Sequence, residues 1–197
     1  MSLSDLISII QTALVIMGFI VTYGEFKKWR EELLGSKKIE VALRLGRAAN
    51  AFQEAFAAAR FFARSPAKRP ASEYSQDISQ EERLKQDRLY DFEQLLSSLR
   101  IPLHELYAVR TEISILFDDN EQIREHVKMC NGLYMEFAVA VRSNIEGRGS
   151  EEDHKVMFAR PSGTQGVDLF GQRIEDATNE LLKIARKHTR SGGFRVK

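Results

Sequence analysis

A single cysteine, Cys130, stands in this chain of 197 residues, so no disulfide can close within it. That scarcity fits a reducing compartment. Prolines number four and glycines twelve, several of them gathered in two loops, and long stretches rich in Ala, Leu, Glu, Lys, Arg and Gln lie between. Those side chains lose little freedom in a helix, so an all-α protein is predicted. A surplus of one charge sign is missing as well: 29 Lys and Arg stand against 28 Asp and Glu, a formal net charge of +1. No global field draws such a molecule to nucleic acid, which is not an expected partner, and any electrostatic targeting must come from local clusters.

Signatures of catalysis are absent too. No Gly-x-Ser-x-Gly elbow and no glycine-rich phosphate loop between a strand and a helix occurs. "HELYAVR" at His104 opens like a zincin helix but lacks the second histidine four residues on. Glu151 and His154 form one Glu-x-x-His pair, where a di-iron bundle needs two such pairs and further glutamates. Cys130 falls on a helical seam, where a buried, inert thiol is expected. His126 and His188 sit on charged helical segments and are expected to be solvated, as are the carboxylates Glu93, Glu105 and Glu112, although these could converge in a bundle. Neither an enzyme nor a cofactor or metal site is expected.

What the chain does contain is an apolar run. Residues 6–23, "LISIIQTALVIMGFIVTY", carry no charge, and as a helix would span about 27 Å, close to the hydrocarbon thickness of a bilayer. Asp5 precedes the run, and Lys27, Lys28 and Arg30 follow it, with Lys37 and Lys38 behind. This is the reverse of a cleaved signal and, by the positive-inside bias, puts the N-terminus outside and the bulk of the chain in the cytoplasm. Tyr23 and Trp29 mark the headgroup level, and Lys27, Lys28, Trp29 and Arg30 are the expected membrane-surface residues. Within the run Ser4, Ser8, Gln11, Val15, Gly18 and Thr22 recur at alternating four- and three-residue spacing. Small residues let helices approach closely in lipid, and a Gln amide seeks a partner there, so Ser8, Gln11, Gly18 and Thr22 are candidates for membrane-helix association.

Behind the anchor, residues 1–24, a bundle of about four to five helices is expected over residues 25–190, reached by a stalk that can bend at Gly35 and Ser36. Ile39, Leu43, Gly46, Ala49, Phe52, Phe56, Ala59 and Ala63 trace the first core face, and the helix should end before Pro66. A loop follows over about residues 65–79. Ser79 and Glu82 then have capping-box spacing ahead of a helix with Leu89, Phe92, Leu96 and Leu99 inward. Pro102 kinks the chain or opens a new helix that buries Leu103, Leu106, Ile113 and Phe117. Asp118, Asp119 and Asn120 signal the next start, and Ile123, Val127, Cys130, Tyr134, Phe137 and Val141 form its seam. A second loop, about residues 147–166, holds Val156, Met157 and Phe158, which can tuck against the bundle. The last helix buries Val167, Phe170, Ile174, Ala177, Leu181 and Ile184, and residues 191–197 form a disordered basic tail. Lys183, Arg186, Lys187 and Arg190, with Arg195 and Lys197, make a cluster with no acidic residue in the last fifteen positions, a possible contact for lipid or an acidic partner.

The stretches "YGEFKKWREELLGSKKIEVA", "RFFARSP", "EERLKQDRLYDFEQLLSSL" and "LHELYAVRTEISILF" resemble a family of uncharacterised bacterial proteins with one N-terminal membrane helix and a cytoplasmic helical domain. The likeness covers about residues 20–145. It implies a single-pass topology in the bacterial inner membrane and transfers no functional residue. The expected function is a membrane-anchored interaction or scaffold protein, its partners the lipid bilayer and a membrane protein or further copies of itself. The alternative is a self-associating membrane effector or pore component assembled through the anchor.

Overall fold

The computed structural model of the chain describes residues 3–62, 79–117, 120–158 and 167–191, with the backbone alone for residues 3–10, 13, 62, 85, 120 and 191. All secondary structure among them is helical: α1 (Leu3–Phe62), α2 (Gln80–Leu116), α3 (Asn120–Ile145), α4 (Glu151–Met157) and α5 (Leu169–Ser191). The all-α expectation is met there. Helix α1 packs on α2 and α5, and α3 packs on α2, α5 and the short α4. Side-chain pairs fix the directions. Arg44 of α1 reaches Glu105 and Glu112 of α2, while Arg60 reaches Asp168 and Gln53 meets Thr178 on the way down α5. Arg100 of α2 donates to Tyr134 of α3, and Arg173 of α5 pairs with Glu136. The four long helices therefore alternate in direction around one core.

The first helix continues as expected, and the second does not restart at Pro102. Helix α1 continues through Gly35 and Ser36 over 60 residues, the roughly 1 kcal/mol cost of one glycine being carried by strong helix formers on both sides. Helix α2 continues through Pro102, which is buried inside it, so the two segments expected there are one helix of 37 residues. A mid-helix proline costs about 3 kcal/mol. Leu99, Leu103 and Leu106, buried on either side of it, each return about 1.5–3 kcal/mol on leaving water. One face held in the core decides against the break.

The core is close to the expected one, with local shifts. Phe56 meets Phe52, Phe137 and Phe170 edge-on, with centroids 5.0, 5.5 and 6.0 Å away, joining α1, α3 and α5. All six residues of the α3 seam are buried, as are Leu96, Leu99, Leu103, Leu106, Ile113 and Phe117 of α2. Leu43, Leu89 and Val167 instead face out. In α1 the inward face is held by Val41, Ala42, Leu45 and Ala48, about half a turn from Leu43 at about 100° per residue.

The connections carry more structure than expected. Ser79 caps α2 by accepting from the Glu82 amide at 3.3 Å. After α3, Gly147 adopts a φ of 72°, its amide donates to Asn144 O, and the Arg148 amide donates to Ser143 O, closing the helix with a left-handed turn. Part of the expected loop 147–166 is helical: Ser150 and Asp153 form a full capping box on α4. Met157 is buried, with Val156 and Phe158 packed against the core. The loop segment 63–78, the start signal Asp118 and Asp119, the stretch 159–166 and the tail residues 192–197 lie outside the described residues.

Candidate functional site

The N-terminal half of α1 projects from the bundle formed by the other described residues. From Leu14 to Leu34 every side chain is exposed, including Leu14, Val15, Ile16, Met17, Phe19 and Ile20, with Phe19 at 76%. An isolated helix apolar on all sides has no soluble face to offer. Among the described residues no helix is long and apolar enough to cross a membrane. The run of residues 6–23 includes 6–10 and 13, whose side chains lie outside the described residues, so the expected span is described only in part.

Within this half, Ser8 is described by its backbone alone. Gln11 is exposed, and a Cβ placed on Gly18 would have open space within 4 Å. The Thr22 hydroxyl donates to Gly18 O at 2.8 Å, satisfying itself within the helix. Lys27, Lys28, Trp29 and Arg30 are all exposed, and the Phe26 and Trp29 rings lie 6.1 Å apart.

The structure unites two groups that are distant in sequence. The His188 ring near the end of α5 lies 4.3 Å from Phe117 at the end of α2, and Lys38 Nζ stands 5.7 Å from the same ring. Arg186, Lys187 and Arg190 are thereby brought to the end of the bundle from which the exposed half of α1 projects. Lys183, exposed on α5, pairs with Glu180 one turn back at 2.5 Å. His126 and His188 are half-buried rather than solvated.

Polar groups inside the bundle serve its packing. Arg60, 3% exposed, is the most heavily bonded residue. Its Nη1 and Nη2 hold the Asp168 carboxylate at 2.7 and 2.9 Å. Its Nε and Nη2 donate to the carbonyls of Val156, Lys155 and Phe158, and its guanidinium lies 5.3 Å from the Phe170 centroid. Asp168 in turn accepts from the Gly171 amide at 3.0 Å, capping α5. The approach is so close that a Cβ on Gly171 would stand 2.6 Å from Asp168 Oδ2. Neither Arg60 nor Asp168 was singled out by sequence. The one legible signal is Asp168 directly ahead of a helical repeat, a capping residue.

Glu105 and Glu112 do converge, on Arg44, at 2.8 and 2.5 Å. The two carboxylates share this one cation, and hydrogen bonding to them raises the Arg44 pKa, so the trio is an ion-pair bridge between α1 and α2. Cys130 is fully buried, and desolvation pushes its thiol up to about 12, as an inert core group requires. Among the described residues no three His, Cys, Asp or Glu side chains converge as metal ligands would. An open apolar groove of about 350 Å³ runs between α2 and α3, floored by Leu89, Phe92, Met135 and Val139 and edged by Glu93 and Arg142. Compared with protein-family models, with curated proteins and with solved structures, the chain matches none.

Proposed function

We propose that this protein is a membrane-tethered helical scaffold at the inner face of a bacterial membrane. In this reading residues 1–24 seat in the bilayer with the N-terminus outside, and the bundle stands in the cytoplasm as a docking body for a membrane-protein partner. The observation that carries it is the helix projecting from the bundle with apolar side chains exposed on every side between Leu14 and Tyr23, continuous with the uncharged residues 6–13 of the sequence. Water penalises such a surface at roughly 25 cal/mol per Å², whereas lipid does not. Lys27 and Lys28 then stand at the headgroups, with Arg30 close by, each lysine contributing about 1 kcal/mol near an anionic leaflet. The α5 cluster of Arg186, Lys187 and Arg190 lies at the same end of the bundle, where His188 meets Phe117 beside Lys38.

Flotation of the full-length protein with vesicles of phosphatidylethanolamine and phosphatidylglycerol tests the tether. The wild type should float and resist extraction by alkaline carbonate. Val15→Arg with Phe19→Arg should stay at the bottom, since each arginine at a span's centre costs about 2.5–3.5 kcal/mol on insertion. Extraction of the wild type by carbonate would remove the reading. A second reading, a self-associating membrane effector, is favoured by the open, small-residue surface at Gly18 beside Gln11 and Thr22.

A further inference from the structure

Just beyond the apolar run, α1 carries a second feature that the bundle does not use. Phe26, Trp29 and Leu33 are 58%, 57% and 55% exposed among the described residues. At about 100° per residue they share one face of the helix with Gln11, Val15, Gly18 and Thr22, all within about 80°. The positions of α1 that enter the core, from Val41 to Ala59, centre about 120° away round the helix by the same count. A partner can therefore lie along this stripe without meeting the bundle.

The charges beside the stripe select the partner. With Phe26 and Leu33 at the a positions and Trp29 at d of a heptad, Glu25 and Glu32 take the g positions and Arg30 and Lys37 the e positions. In a parallel pair, each g residue faces the e residue five places on in the other strand. Glu25 then meets the second copy's Arg30, and Glu32 meets its Lys37, on both sides of the seam. An antiparallel pair would instead oppose Glu to Glu and Arg to Lys. Glu25, Arg30 and Glu32 have no ion-pair partner among the described residues, and Lys37 has only an exposed contact to Glu40 at 2.9 Å. We infer that the stalk is a parallel homodimer contact: a second copy of this chain packs along Phe26, Trp29 and Leu33, in register, with Glu25–Arg30 and Glu32–Lys37 pairs between copies. Lys27 and Lys28, at b and c, point away from the seam and stay available to lipid. Two heptads alone are too short to hold a pair in water, so the contact extends into the small-residue face at Thr22 and Gly18. In that part it rests on the membrane reading.

The test is the protein-only mass of full-length protein in detergent, by light scattering. The wild type should have the mass of two chains. Phe26→Ser with Trp29→Ser and Leu33→Ser should have the mass of one, its helical circular dichroism kept because these residues lie outside the core. Glu25→Lys with Glu32→Lys should also fall to one chain, as should Arg30→Glu with Lys37→Glu, and mixing these two charge variants should restore two. A wild type of one chain, a serine variant that stays at two, or charge variants that pair with themselves as well as with each other would each overturn the inference. Flotation separates this from the tether. A protein that floats but has the mass of one chain keeps the anchor and loses the stalk contact. One that pairs but does not float keeps the stalk contact and loses the anchor.

Discussion

At Arg60 a guanidinium is taken almost wholly out of water, which is tolerable only because every nitrogen finds an acceptor. The acceptors are the carbonyls of residues at the end of α4 and the carboxylate that starts α5, so one side chain ties the end of α1 to both. Arg60→Met should lower stability by about 3 kcal/mol, because it leaves Asp168 and three carbonyls without their donor. Urea denaturation would measure this, and a loss below about 0.5 kcal/mol, the range of ordinary surface changes, would mean the clamp holds little. Cys130 gives a second expectation with a defined sign. Its thiol ionises at about 12 in the fold against an ordinary 9.0, burial being the cause. Above about pH 9 the unfolded chain loses this proton and the folded chain does not, so alkali favours unfolding. Cys130→Ala should therefore show a flatter decline of stability between pH 9 and pH 11 than the wild type, and a parallel decline would contradict it. Reading the sequence located Cys130 correctly because its seam repeats at helical spacing. It passed over Arg60 because an arginine within "AAARFFAR" looks like any solvated charge until distant carbonyls are placed around it.

At the scale of elements, local chemistry was legible at several helix ends and not at the breaks. Ser79 does cap α2. The Ser150 box went unread because α4 has only 7 residues, too few for a periodic pattern. That box yields an acid sensitivity. The backbone and hydroxyl of Ser150 hold the Asp153 carboxyl below its ordinary range. The depressed value means the stabilisation is present above the ordinary carboxylate range and is lost as pH falls through the folded value. Hydrogen exchange over residues 151–158 should speed on acidification relative to the rest of the bundle, after correction for intrinsic rates, and Asp153→Ala should speed it at neutral pH. Unchanged exchange in that variant would show that the contacts of Met157, not the cap, hold α4. Pro102 marks the opposite case: the local rule favours a break, and burial of the leucines around it prevails.

For the whole molecule, one helix belongs to two environments. Its half from Val41 to Ala59 is locked in the core, while its side chains from Leu14 to Leu34 are exposed. Isolated helix is marginal in water. Amides of residues 14–34 should accordingly exchange far faster than those of residues 41–59 without lipid, and vesicles of anionic lipid should protect residues 14–23 while leaving 41–59 unchanged. Equal protection of the two halves in the absence of lipid would contradict the division. Composition and periodicity alone determined the helical class, the α3 seam, most of the α2 and α5 faces and the uncharged run, because each is a property of neighbours within a few turns. Only tertiary structure decided that α2 runs through Pro102 as one helix, that Leu43 and Leu89 face out, that Glu105 and Glu112 meet at Arg44, and that the α5 cations gather at the end from which α1 projects. Those outcomes depend on groups far apart in the chain, as Gln53 and Thr178 are, 125 residues from each other. The energy that settles them, burial and pairing between helices, has no counterpart in any local stretch of sequence.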